Sequence, residues 1–139
     1  MKFLLPLLVL ATATTFAMET NKAPASLPGS AWKVTALAEE TLLADHPITF
    51  GFDAEGNISG NASCNQFGGT CTVEGNTVKI GPLRSTRRAC EPDIMQQERK
   101  FLALLAAVTT WEIGADGALV LRSEGGEIRA EKAPDTPAN

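Results

Sequence analysis

The sequence predicts a mainly β protein: an antiparallel meander sheet curled into a small barrel-like fold, with one covering α-helix over about 92–108. Three observations carry this. Apolar and polar residues alternate through a series of short runs, Gly- and Asn-bearing turns separate those runs, and a single stretch changes period from two to about 3.6.

Before the first run stands MKFLLPLLVLATATTFA, residues 1–17. Lys2 supplies a positive start, Phe3 to Leu10 an apolar core, and Thr15 and Ala17 a small-residue exit, which is the build of a secretory signal. Cleavage is expected after Ala17, with Ala13 as second choice. The apolar core falls short of the roughly 20 residues that span a bilayer, so no stable membrane insertion is expected. No cysteine closes it, so no lipid anchor is expected either. Residues 18–30 read as a flexible lead-in, 31–132 as the domain, and 133–139 as a disordered tail.

Trp32, Val34 and Ala36 alternate with Lys33 and Thr35, and Ile48, Phe50 and Phe52 alternate with Thr49 and Gly51. Val78 and Ile80 flank Lys79, Trp111 and Ile113 flank Glu112, and Leu119 and Leu121 share a face. Each run is a half-buried strand. The turns 53–57, 74–76, 115–117 and 124–126 hold the Gly and Asn residues that accept positive φ, so neighbouring strands are joined as hairpins. The helix opens at Pro92, where a missing N–H costs nothing, and Ile94, Phe101, Leu105 and Val108 form one apolar stripe.

The stretch 56-GNISGNASCNQFGGTC-71 crowds turn-formers and thiols together. Cys64 sits in this Asn/Gly loop, 57–69, and Cys90 at the helix start, each at a junction between elements. Pairing Cys64 with Cys90 leaves Cys71, on the same face as Val73, as a buried free thiol. A Cys71–Cys90 pair is the alternative, and spacing alone leaves the connectivity open. The three cysteines and the distant His46 match no common zinc spacing, so no metal is expected. Arg87 and Arg88 stand close enough in sequence to activate Cys90, but no histidine base accompanies any cysteine. The acceptor triplets at Asn57 and Asn61 read as coincidences of an Asn-rich turn.

The chain carries a formal charge of −4, and loss of Lys2 with the signal leaves 11 basic against 16 acidic side chains. That balance excludes nucleic acid as the main partner, because such partners need a basic face. Export to an oxidising compartment favours a disulfide over a metal site.

The order of these signals resembles the META domain family, which includes the HslJ-like heat-shock proteins of bacterial envelopes. Trp32 opens the domain. Ser59-Gly60 and Cys64-Asn65-Gln66-Phe67-Gly68-Gly69 form its loop, Ser85-Thr86-Arg87-Arg88-Ala89-Cys90 its second signature, and Glu98, Phe101 and Leu105 lie on its helix. The likeness covers about residues 30–131. Ser63 stands where the family loop often has Gly, and Cys71 where a strand aromatic is common. The resemblance implies a small antiparallel β-domain linked to envelope stress tolerance, and it brings no catalytic residues.

Glu98 is the one carboxylate within the helix stripe, and burying it demands a partner. Arg87, Arg88 or backbone N–H groups of the Asn-rich loop are the options. The functional alternative is a general acid or a ligand-binding carboxylate. The expected function is that of a non-enzymatic periplasmic or secreted protein, a soluble monomer without cofactor. It would bind another envelope protein or a cell-wall component through the 57–69 loop and the positive patch at 84–91. Asn65, Phe67, Gly68, Thr86, Arg87, Arg88 and Glu98 are the candidate structural or interaction residues. A small-molecule-binding β-barrel carrier is the alternative.

Overall fold

The computed structural model describes residues 26–133. Ten strands run in chain order: β1 (Ala31–Leu37), β2 (Glu40–Thr41), β3 (Ile48–Phe52), β4 (Asn57–Ala62), β5 (Gln66–Glu74), β6 (Thr77–Ile80), β7 (Arg84–Ser85), β8 (Thr110–Ile113), β9 (Leu119–Ser123) and β10 (Gly126–Lys132). Helix α1 (Pro92–Ala106) lies between β7 and β8. All pairings are antiparallel. The order β10-β9-β8-β6-β5-β4-β3-β1 closes on itself because β1 also pairs with β10, placing Trp32 opposite Lys132 and Leu37 opposite Ile128. The meander is therefore a closed eight-strand barrel, with β2 a short flap on β1 and β7 a short companion to β5. Closure leaves the main strands few free edges.

Period-two alternation decides the inward set. Ile48, Phe50 and Phe52 from β3 follow it and are buried, as are Trp32 and Val34 from β1. An irregularity in the β1–β10 register after Val34 then makes Leu37, not the expected Ala36, the buried residue, and β9 buries Val120 along with Leu119 and Leu121. Helix α1 begins with Pro92 at its first turn, beside Asp93, whose negative charge suits the helix N-terminus. It inserts Phe101, fully buried, among the barrel aromatics. The Phe101 ring centroid lies 5.4 Å from Phe67 edge-on and 6.2 Å from Phe50 in a stacked pose. Burying such a ring contributes about 1.5–3 kcal/mol.

The helix ends at Ala106, two residues short of the expected 108. Ala107 and Val108 N–H groups turn back to the Leu104 and Leu105 carbonyls. The β-branched run that follows is then captured as strand, with Thr109 N–H donating to the Arg122 carbonyl.

Two further expectations are corrected. Residues 26–30, read as the end of the flexible lead-in, belong to the fold: Leu27 is fully buried, and the Ser30 hydroxyl donates to its carbonyl. Ser30 Oγ in turn accepts the Trp32 indole N–H at 2.7 Å, which ties this turn to β1. The 57–69 loop is mostly not a loop. It is the hairpin of β4 and β5 around a tight turn at Ser63-Cys64-Asn65, with Asn61 opposite Gln66 and Ser59 opposite Gly68. The signal peptide, the first part of the lead-in (18–25) and residues 134–139 of the tail lie outside the described residues.

Candidate functional site

The turn between β4 and β5 carries Cys64 and Asn65, and both are pulled toward the segment that precedes α1. Cys64 and Cys90 form a disulfide with their Cα atoms 6.1 Å apart. Cys71 is a buried free thiol, and burial raises its pKa. The Cys71–Cys90 alternative is thereby set aside.

Asn65 is 3 % exposed and spends every polar atom of its side chain. Its Oδ1 accepts the Arg88 N–H at 2.6 Å and the Thr86 hydroxyl at 2.9 Å. Its Nδ2 donates to the Arg88 carbonyl at 3.2 Å and to Glu98 Oε2 at 2.8 Å. Asn65 thus reads Arg88 as a backbone, through both its N–H and its C=O. The Thr86 hydroxyl also accepts the Gln66 N–H at 3.2 Å.

Glu98, 4 % exposed, reaches the same turn from α1. Its Oε1 accepts the backbone N–H groups of Asn65 at 2.6 Å and Cys64 at 3.3 Å. Of the partners expected for it, the loop N–H groups are the ones the fold supplies. Arg87 and Arg88 pair neither with it nor with Glu91; both arginines are exposed, and Asn65 holds Arg88 by its main chain. Charge-assisted bonds from fixed N–H groups satisfy a buried carboxylate without a buried cation. Among the described residues no buried side-chain N or O atom lacks a partner.

Gln97 was not singled out from sequence, yet it does similar work one residue earlier. Its Oε1 accepts the Leu43 N–H at 2.8 Å, while Nε2 donates to the His46 carbonyl and the Ser63 hydroxyl. The signal was present: Gln97 lies three residues after Ile94 and four before Phe101, on the stripe's flank. Ser63 adopts φ +102°, a conformation that favours glycine.

Phe67 points inward and is 5 % exposed, so it is a core residue rather than a contact surface. Gly68 has a different reason. A Cβ there would stand 3.2 Å from Arg84 Nη2 and 3.4 Å from its Cζ, so glycine lets the Arg84 guanidinium lie over the strand. Arg84, Arg87 and Arg88 are all exposed, and the ion pairs of the described residues involve none of them. A shallow groove of about 350 Å³ runs over the β5–β7 ladder, lined by Gln66, Phe67, Gly68, Arg84, Ser85 and Thr86.

The chemistry of this arrangement is that of a clamp. Each acceptor of Asn65 and Glu98 is occupied by a donor from the chain itself, and the sulfur atoms are tied to each other. The barrel interior, where a carried ligand would sit, is filled by Phe50, Phe52, Phe67, Phe101, Leu105 and Leu121, all at most 5 % exposed. Among the described residues there is no cluster of three or more metal-ligating side chains.

Fold and clamp together define a small closed antiparallel barrel, plugged by one helix and pinned at a hairpin turn by a disulfide. The chain belongs to the META domain family, whose match spans residues 25–135. No curated protein sequence matches it. A protein from Burkholderia xenovorans solved by NMR is similar, with 24 % identity, a TM-score of 0.65, and coverage of 78 % of this chain and 85 % of that one. A second NMR structure shares 18 % identity and a TM-score of 0.64, covering 76 % of this chain and 91 % of that one. At such identities the likeness is one of fold.

Proposed function

We propose that this chain is a non-enzymatic binding module of the bacterial envelope, periplasmic or secreted, which serves stress tolerance by engaging another envelope protein or a cell-wall component. One observation carries the reading. Arg84, Arg87 and Arg88 stand exposed, without a carboxylate partner among the described residues, on a segment held rigid from behind by the disulfide, Asn65 and Glu98. A rigid presenting segment loses little entropy on binding. The disulfide suits an oxidising compartment, and among the described residues no helix is long and apolar enough to cross a membrane. The side chains of Asn65 and Glu98 are occupied by hydrogen bonds within the chain.

Site-specific photo-crosslinking tests the reading. A photoreactive residue placed at Arg87 in the producing cell is expected to give a discrete adduct with one envelope component, absent when the probe sits at the exposed Glu55 on another turn. Equal, diffuse labelling from both positions would refute a specific module.

A further inference from the structure

Resting on that reading, we propose that the outer edge of β7 accepts an extended acidic peptide of the partner as an additional strand, with Arg84 and Arg87 taking its carboxylates. The register of β7 supplies the first argument. Thr86 N–H donates to the Gln66 carbonyl, and Phe67 lies opposite Ser85 while Gly68 lies opposite Arg84. In an antiparallel ladder this makes Phe67/Ser85 the non-hydrogen-bonded pair, so the N–H and C=O of Ser85 point away from β5. Among the described residues the backbone groups of Leu83 and Arg87 also enter no hydrogen bond. Alternate residues 83, 85 and 87 therefore offer unpaired donors and acceptors along one exposed edge, the pattern on which strand addition is built.

Charge supplies the second argument. On a chain of net charge −4, this edge gathers three arginines that have no carboxylate partner among the described residues. Charges on an edge discourage pairing with a second copy of the same edge, and the same charges attract an acidic strand. Arg84 is already laid over Gly68 beside the groove, and a guanidinium so placed can take a carboxylate in bidentate fashion. Rigidity supplies the third. Arg88 is fixed through both main-chain groups by Asn65, and Cys90 by its disulfide, so the edge is ordered before a partner arrives.

The test is a titration of the mature protein with a labelled, end-blocked peptide of alternating glutamate and valine, read by fluorescence anisotropy. Two further peptides serve as probes: one with its edge-facing amides N-methylated, and one with lysine replacing glutamate. The parent peptide is expected to bind, with affinity falling as salt rises, and the other two to bind at least about tenfold more weakly. Ser85→Pro removes only an outward N–H, a substitution edge strands tolerate, and should weaken binding about tenfold or more while Tm and circular dichroism hold. Arg84→Glu with Arg87→Glu should do the same. Equal binding of the N-methylated peptide would reduce the effect to anion attraction and overturn the proposal. So would failure of the parent peptide to bind, or preference for anionic lipid vesicles over it. A discrete crosslink from Arg87 beside a negative titration leaves the module standing and removes this mode of binding. Absence of any discrete crosslink removes the module itself.

Discussion

Replacing Glu98 by Gln removes one charge from the clamp and converts one acceptor into a donor. The three bonds that converge on Glu98 come from the Asn65 N–H, the Cys64 N–H and Asn65 Nδ2. Glutamine can keep its single oxygen on the two backbone groups. Its amide nitrogen then faces Asn65 Nδ2 across the 2.8 Å now spanned by a bond, donor against donor. Bonds to a charged group contribute about 1.5–3 kcal/mol each, and a buried donor left unpaired costs about 1–3 kcal/mol. One bond lost and two weakened give an expected destabilisation of about 2–4 kcal/mol. On a domain of this size Tm should fall by about 10–20 °C. Urea unfolding followed by tryptophan fluorescence reads this directly, since Trp32 is 3 % exposed when folded. A change below about 0.5 kcal/mol would refute the clamp, because such values belong to surface substitutions.

Other perturbations reach other parts of the fold. Glu39 is exposed at φ +73° in the β1–β2 turn, and Glu39→Gly should stabilise the protein by about 0.5–1 kcal/mol in the same urea assay. Gly60→Ala should cost about 3 kcal/mol or more, seen as loss of folded yield, because a Cβ there would lie 2.0 Å from the Thr49 carbonyl oxygen of the paired strand. Replacing Cys64 and Cys90 together by Ser should cost about 3 kcal/mol, since the bridge closes a sequence separation of 26. Cys71 should resist a thiol reagent in the native state and react at once in denaturant, as mass spectrometry after alkylation would show. The Asp53 carboxyl is held below its ordinary value, first by the Asn57 side chain and then by the Asn57 N–H. A carboxylate lowered in the folded state stabilises above its unfolded pKa, and that contribution is lost as pH falls through the acid range. Asp53→Asn should therefore flatten the acid limb of a Tm–pH profile.

Strands with strict alternation were legible from sequence because two-fold periodicity and hairpin turns determine both face and direction. β3, β6 and β8 are of this kind, whereas β1 keeps the alternation only as far as Val34, where its register shifts, and β9 buries Leu119, Val120 and Leu121 in a row. β4 was hidden by composition: in Asn57–Ala62 only Ile58 and Ala62 mark the inward face, and Gly60 between them offers no side chain to read. Its glycine is required by the close approach of β3, a tertiary fact. Barrel closure through β1 and β10 is likewise a long-range pairing that no local signal records. The disulfide was legible as thiols at junctions between elements whose connectivity the spacing left open, and the buried Glu98 as a need, a carboxylate on an apolar stripe. Which donors would meet that need was not, because arginine and backbone N–H groups are equivalent answers until the turn at Ser63-Cys64-Asn65 is placed in space. Gln97 was missed since a glutamine beside an apolar stripe reads as surface, and only the carbonyl of His46 and the N–H of Leu43 reveal it as a second clamp.

The cluster around Asn65 acts as a clamp that fixes the arginine segment, and native-state hydrogen exchange measured residue by residue tests this most directly. In the wild type the Cys64, Asn65 and Arg88 amides should exchange nearly as slowly as the barrel core. In Glu98→Gln, Cys64 and Asn65 should lose protection first, with Arg88 following through the weakened Asn65. Fast exchange at Arg88 in the wild type, or protection there that Glu98→Gln leaves unchanged, would contradict the account.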